Sequence, residues 1–94
     1  MGTTTNAGRN FNIWNYTVTT ADTSIALTQY ANSFIIRCRT AVDIYLRTSV
    51  GAATYFTIPA NTSFTFDLAT STTTPFVLRS SSGTVIVEIL GTQE

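Results

Sequence analysis

The chain has 94 residues, 44% of them hydrophobic, and its five acidic and five basic side chains give a formal net charge of zero. This length supports one small domain, and the absence of His, Lys and any basic run excludes the charge pattern of a nucleic-acid-binding protein. Twenty Thr and eight Ser residues favour strands over helices, since Thr is β-branched and suits the solvent-facing side of a pleated sheet.

The first ten residues, MGTTTNAGRN, are small and polar without periodicity, which predicts a flexible N-terminal arm before a single domain over residues 11–94. They contain neither the apolar run of a signal peptide nor a stretch able to span a bilayer. We therefore expect a protein that is made in a cytosol and has no membrane partner. Cys38 is the only cysteine, which excludes an intramolecular disulfide and predicts a small buried side chain.

The first predicted strand, FNIWNYTV at residues 11–18, has apolar side chains at both odd and even positions, as at Ile13 and Trp14. Such a strand is expected to be covered on both faces, either within a sandwich or by a neighbouring subunit. A short strand is predicted at residues 24–28. The polar segment at residues 29–33 then favours a turn.

Two strands with clear alternation are predicted in the middle of the chain. In FIIRCRT, residues 34–40, Ile36 and Cys38 are expected to face away from Arg37. AVDIYLRT, residues 41–48, alternates so that its apolar side chains point inward and its charged side chains outward. The inward-facing residues are Val42, Ile44 and Leu46.

Residues 55–68 are predicted to form two strands around Pro59-Ala60-Asn61. Proline presets φ for a turn and asparagine tolerates the left-handed region, so the connection is expected to be a hairpin or a tight corner. In the second of these strands, apolar and polar residues alternate. The polar segment ATSTTT, residues 69–74, is predicted to be a loop.

The last two predicted strands, at residues 76–79 and 84–90, flank a Ser-Ser-Ser-Gly turn and are interpreted as a plain β-hairpin. Gly83 can supply the positive φ that such a turn requires. Residues 85–87 are apolar in succession, which predicts that both faces of the last strand are buried.

These elements predict an all-β fold of about eight strands, spaced by about 8 to 12 residues and joined by Gly, Pro, Asn and Ser turns. We expect an antiparallel β-sandwich of jelly-roll-like topology, because eight strands in two sheets use this length economically. An immunoglobulin-like sandwich is the alternative, but its Cys, Trp, Cys spacing is missing because Trp14 precedes the lone Cys38. No run combines a 3.6-residue period with good caps, so almost no helix is expected.

The sequence predicts no enzyme, no cofactor and no metal site. Without His, and with a single cysteine, the chain lacks both a His-based nucleophile pair and a Cys/His ligand set. The five acids are spread one per element or turn, although pairing of Asp43 with Asp67 through the fold stays open. We expect the carboxylates on solvent-facing strand surfaces, paired with Arg37, Arg39 or Arg47.

The remaining signals concern association with other chains. Lys is the usual guard against edge-to-edge strand pairing, and a neutral chain without Lys favours a homo-oligomer. Because only 11% of the residues are charged, part of the apolar surface is expected to be buried between chains. We predict a protein interface where the arm meets the first strand. The predicted interface residues are Arg9, Asn10, Phe11 and Trp14.

Two phrases in the C-terminal two-thirds of the chain are typical of one group of proteins. A strand pair leads to IPA-x-x-S-F at residues 58–64, and V-x-x-x-S-S-G-T-V-x-V-E-x-L-G follows at residues 77–91. Through these phrases, residues 33–91 resemble the small Thr- and Ser-rich β proteins of tailed-bacteriophage virions. No catalytic or ligand-binding residue belongs to the shared pattern.

The resemblance implies a virion structural protein on the capsid surface. The expected role is that of a decoration or cement protein, which binds as an oligomer, with a trimer favoured, over junctions between subunits of the major capsid protein. A tail, fibre or head-fibre component is the first alternative. A carbohydrate-binding β module is the second.

Overall fold

Eight antiparallel strands form the part of the chain that the computed structural model describes, residues 11–93. The strands are β1 Phe11–Val18, β2 Thr23–Ser24, β3 Ala31–Cys38, β4 Ile44–Arg47, β5 Phe56–Ile58, β6 Ser63–Thr72, β7 Val77–Ser80 and β8 Val85–Thr92. The predicted arm at residues 1–10 and the final residue lie outside the described residues. Within residues 11–93 there is no helix, and therefore no helical segment of the length and apolarity needed to cross a bilayer.

The strands pair in the nested order of a jelly roll. One sheet has the order β1-β8-β3-β6 and the other β2-β7-β4-β5. The first strand thus pairs with the last, the second with the seventh, the third with the sixth and the fourth with the fifth. This topology confirms the predicted jelly-roll-like sandwich and differs from the strand order of the immunoglobulin-like alternative.

The core lies between the two sheets and is built by alternation along each strand. Phe34 of β3 is its central ring: it packs against Phe66 at 5.5 Å and Phe76 at 5.6 Å between ring centroids. The inward positions predicted at Ile36 and Ile44 are confirmed, since both side chains are buried. The buried apolar cluster consists of Val18, Ile25, Leu27, Ala31, Phe34, Ile36, Ile44, Ile58, Phe76, Leu78, Val85, Val87 and Ile89.

The predicted hairpin at the C-terminus is wrong, because β7 and β8 belong to different sheets. The backbone N–H groups at the end of β7 bond elsewhere: Ser80 donates to the carbonyl of Thr19 at 2.8 Å and Ser81 to that of Asp43 at 3.0 Å. Gly83 has the predicted positive φ, 68°. The Ser-Ser-Ser-Gly segment therefore carries the chain across the sandwich instead of folding it back within one sheet.

The segment around residues 59–61 is a corner, one of the two predicted outcomes. β5 and β6 lie in different sheets, and Asn61 adopts the left-handed region with φ of 63°. Asparagine accepts this conformation more readily than most residues because its short polar side chain can bond locally. The corner thus transfers the chain from one sheet to the other at this point.

Strand ends differ from the prediction most at β2, β3, β4 and β6; β4, for example, covers only Ile44–Arg47 of the predicted residues 41–48. β3 begins at Ala31, within the predicted turn, and β6 continues to Thr72, through much of the predicted loop. The two segments pair with each other through Ala31 and Thr72, beyond an irregularity in the ladder. β2 is shorter than predicted, with only Thr23 and Ser24 in strand conformation. The polar composition of the added parts of β3 and β6 did not indicate strands, because polar residues such as threonine occur in turns as well as in strands.

Candidate interaction surfaces

The outer surface of the β1-β8-β3-β6 sheet carries a row of apolar side chains. Ile13 of β1 lies opposite Leu90 of β8, and Leu90 in turn lies opposite Ile35 of β3. Directly opposed residues of antiparallel strands share a face, so these three side chains stand side by side across the sheet. Phe11 is on the same face, two residues before Ile13 along β1. We call Phe11, Ile13, Ile35 and Leu90 the apolar face.

The apolar face is open to solvent in the described chain. Ile13 is 62% exposed, Phe11 45% and Ile35 40%. Ile13, Ile35 and Leu90 also border a shallow groove of about 300 Å³. Single exposed apolar residues are normal on a protein surface, whereas a contiguous set is typical of a surface that binds another molecule. This face is therefore the best candidate for a functional surface.

A charged cluster borders the apolar face on the side away from Phe11. The Glu88 carboxylate accepts a hydrogen bond from Arg39 Nε at 2.7 Å and lies 3.4 Å from Arg37 Nε. The hydrogen bond from Arg39 is the main reason that the pKa of Glu88 is lowered; desolvation opposes it, and the charges of Arg39 and Arg37 reinforce it. Asp67 lies on the same outer surface. Two carboxylates and two guanidinium groups thus leave this surface without net charge.

The lowered pKa of Glu88 predicts a pH-dependent contribution to stability. Because the pKa is lower in the folded chain than in the unfolded chain, the contribution is complete above the unfolded pKa and is lost as pH falls through the folded pKa. We expect the melting temperature of Glu88→Gln to lie below that of the wild type at pH 7, and the two to converge in acid. Thermal unfolding of both proteins between pH 7 and pH 2 measures this difference.

High salt supplies the control for this titration. The cluster is solvent-accessible, so 1 M NaCl should screen its charges and reduce the difference between the two proteins at pH 7. A difference that stays constant across the whole pH range would show that the glutamine substitution acts through packing alone.

The outer surface of the other sheet carries interlocked tyrosine and arginine side chains. Tyr45 and Tyr55 meet edge to face with their ring centroids 4.7 Å apart. The guanidinium of Arg79 lies over the Tyr45 ring at 5.1 Å, and that of Arg47 over the Tyr55 ring at 5.6 Å. Such contacts contribute about 0.5–1 kcal/mol each at exposed sites and hold the side chains in order. We call Tyr45, Arg47, Tyr55 and Arg79 the tyrosine-arginine face.

Asp22 fixes one end of the tyrosine-arginine face. Its carboxylate lies 3.4 Å from Arg47 Nη1 and accepts the backbone N–H of Gly51 at 2.8 Å, in the connection between β4 and β5. The side chains of Asp22 and Arg47 are only 12% and 14% exposed. For Arg79, in contrast, no carboxylate within residues 11–93 lies closer than 4.0 Å. The face therefore holds one neutralised guanidinium and one without an acidic partner.

Two of the four residues predicted to form an interface can be located. Phe11 belongs to the apolar face. Trp14 points the other way, into the sandwich, where it packs against the core and donates its indole N–H to Thr28 Oγ1 at 2.8 Å. Arg9 and Asn10 lie outside the described residues. The ring of Trp14 thus serves the core in this structure.

Sequence interpretation missed three members of the apolar face, namely Ile13, Ile35 and Leu90. Alternation did indicate that Ile35 is on the side opposite to buried Ile36. The three residues become neighbours only through the pairing of β8 between β1 and β3, and that register has no local sequence signal.

Each carboxylate in the described part of the chain bonds to different partners. Glu88 pairs with arginine as predicted, and so does Asp22. The same prediction is wrong for Asp43, which accepts the N–H of Ala60 at 2.8 Å, and for Asp67, which accepts the Ser33 hydroxyl at 2.6 Å. Cys38 is half-buried against the core. No three His, Cys, Asp or Glu residues between positions 11 and 93 come together as a metal site.

Comparisons with known proteins identify no relative of the chain. No protein-family model, curated protein or solved structure matches the chain significantly. The case for a function therefore rests on the two outer surfaces of the sandwich.

Proposed function

We propose that the chain is a virion structural protein, a capsid decoration or cement protein that stabilises the head. The observation that carries this proposal is the apolar face. A neutral sheet surface with contiguous exposed Phe and Ile side chains suits a permanent contact with another protein, because burial of each such side chain contributes about 1.5–3 kcal/mol.

The fold is compatible with this role but does not determine it. Double-sheet jelly rolls occur in viral capsid proteins, and also in lectins and cupins. Because one fold serves many functions, this likeness is an analogy only. The resemblance of residues 33–91 to small virion proteins adds a second line of support, and the proposal excludes an enzymatic activity.

We further propose that the protein binds the major capsid protein as a homo-oligomer, with a trimer favoured. Within residues 11–93, β1 is an edge strand, since β8 is its only partner there. Its sequence FNIWNYTV has neither a charged residue nor Pro, the residues that usually protect an edge from pairing with another chain. β1 also contributes Phe11 and Ile13 to the apolar face. Edge and face together offer one continuous surface for a neighbouring subunit.

Co-sedimentation with heads that lack the protein tests the proposal. Wild-type protein should bind such heads and raise the temperature at which they open. Ile13→Asp should weaken binding by about 10- to 100-fold, because it places a charge where an apolar side chain of 1.5–3 kcal/mol is buried. Val50→Asp is the matched control: Val50 is also an exposed apolar residue, but it lies in the connection between β4 and β5 of the other sheet, so the variant should bind normally.

Two outcomes would end the proposal. Failure of the folded wild-type protein to bind heads removes the capsid role, and equal binding by Ile13→Asp removes the apolar face from it. Electron microscopy of labelled virions then locates the protein. A label on the capsid surface supports the decoration role, whereas a label on the tail or on fibres supports a tail, fibre or head-fibre component.

A further inference from the structure

We infer that the tyrosine-arginine face, together with the crevice beside Tyr55, binds an acidic saccharide. This site is on the sheet opposite to the apolar face, so the inference does not depend on the proposed virion role. The predicted carbohydrate-binding alternative thereby gains a location, and Trp14, which packs against the core, takes no part in it.

Exposed aromatic rings supply the first element of a sugar site. Tyr55 is 50% exposed and Phe56 52%. Both line an open crevice of about 280 Å³, together with Leu46, Arg47, Thr48 and Thr54. The C–H side of a sugar ring packs well on aromatic rings, which combine a large apolar surface with a polar edge. A crevice of this size suits one sugar unit rather than a protein chain.

Hydroxyl groups supply the second element. Thr48 and Thr54 flank the crevice, and each hydroxyl can both donate and accept a hydrogen bond. Within residues 11–93, neither the Tyr45 nor the Tyr55 hydroxyl is engaged in a hydrogen bond. These groups match the sugar hydroxyls, which also act both as donors and as acceptors.

Charge identifies the class of saccharide. Arg47 is paired with Asp22, whereas Arg79 has no acidic partner among the described residues. A guanidinium can donate two parallel hydrogen bonds to a carboxylate or a phosphate group. One free cation beside aromatic rings suits a sugar with a single acidic group. Single-stranded nucleic acid is less suitable, because a run of phosphates requires several cations along a groove.

The side chains of the site are held in place before any ligand arrives. Tyr45 is fixed between Arg79 and Tyr55, and Asp22 ties Arg47 to the loop at Gly51. Ordered side chains lose less conformational freedom on binding, which favours affinity at a small surface.

A glycan array tests the inference. It should carry sialylated, uronate-bearing and phosphorylated oligosaccharides, each beside its neutral counterpart, so that carboxylate and phosphate recognition are distinguished. We expect the wild-type protein to retain acidic glycans. For the glycan that binds most tightly, the affinity of Arg79→Gln and of Tyr55→Ala should be about tenfold or more below that of the wild type. Arg37→Gln and Tyr30→Ala are matched controls at exposed sites elsewhere and should bind as the wild type does.

Several outcomes would overturn the inference. These are retention of no acidic glycan by the folded protein, equal affinity of Arg79→Gln and wild type, and binding of oligothymidine that is lost in the same two variants. Arg79→Gln breaks no ion pair of the described chain and loses only the contact with the Tyr45 ring, about 0.5–1 kcal/mol, so the variant should fold. Binding of Tyr55→Ala to heads should remain normal, which keeps this result separate from the test of the virion role.

Discussion

Replacing Phe34 by alanine should lower the free energy of unfolding by about 3–5 kcal/mol, the largest effect expected of a single side chain in this protein. Phe34 is 1% exposed and packs against two other rings. Phe66 belongs to β6 in the same sheet, and Phe76 directly precedes β7 of the other sheet. Truncation removes its buried area and also leaves a cavity, because the surrounding strands cannot collapse fully. Small domains are stable by only about 5–15 kcal/mol, so much of the total would be lost.

Thermal and urea unfolding of Phe34→Ala measure this loss, which should lower the melting temperature by more than about 10 °C. Phe11→Ala is the matched control, because it makes the same chemical change at an exposed position of the apolar face. Its stability should change by less than about 0.5 kcal/mol. Similar losses in the two variants would mean that the apolar face is buried in the isolated protein, through self-association or otherwise.

The strands themselves could be predicted from the sequence because the inward side chains recur with period two. β1 has the predicted bounds, and the buried positions of β8 at Val85, Val87 and Ile89 follow the predicted alternation. Burial of these residues requires only that one face of each strand meets a core, and that is a local property of the sequence.

The partner of each strand could not be predicted in the same way. β7 and β8 are neighbours in the chain but lie in different sheets, since the N–H groups of Ser80 and Ser81 bond to the distant carbonyls of Thr19 and Asp43. A serine-glycine turn is compatible with a hairpin and with a crossing between sheets. The choice is made by long-range packing, which leaves no signal in the turn.

The candidate surfaces show the same limit. The excess of apolar residues predicted that some surface is buried between chains, and Phe11 was among the predicted interface residues; the structure places it on the apolar face. The apolar face as a unit depends on Leu90 lying between Ile13 and Ile35, which the register of three strands decides. Likewise, Tyr45 and Tyr55 are ten residues apart and meet only because β4 and β5 pair.

Gly91 is expected to be the position most sensitive to an added methyl group. It faces inward on β8, and a Cβ atom there would lie 2.9 Å from Trp14 Cζ3 and 3.1 Å from the Cβ of Ala31. Alanine would gain about 0.4–1 kcal/mol by restricting the unfolded chain. Overpacking costs about 1–3 kcal/mol, so the net effect of Gly91→Ala should be destabilising. Valine adds two more carbon atoms and should cost more than alanine.

A double-mutant cycle with Trp14→Leu separates this clash from other effects of the substitution. Leucine removes the ring atom nearest to the new Cβ, so Gly91→Ala should cost less in the Trp14→Leu background than in the wild type. The relief should be partial, because the contact with Ala31 remains.

Gly83→Ala is a useful contrast: its Cβ would meet nothing within 4 Å, and its cost arises from the positive φ of 68° alone. That cost should be the same with and without Trp14. Equal costs of Gly91→Ala in both backgrounds would instead show that Trp14 moves aside freely and that the close approach at Gly91 does not fix the position of its ring.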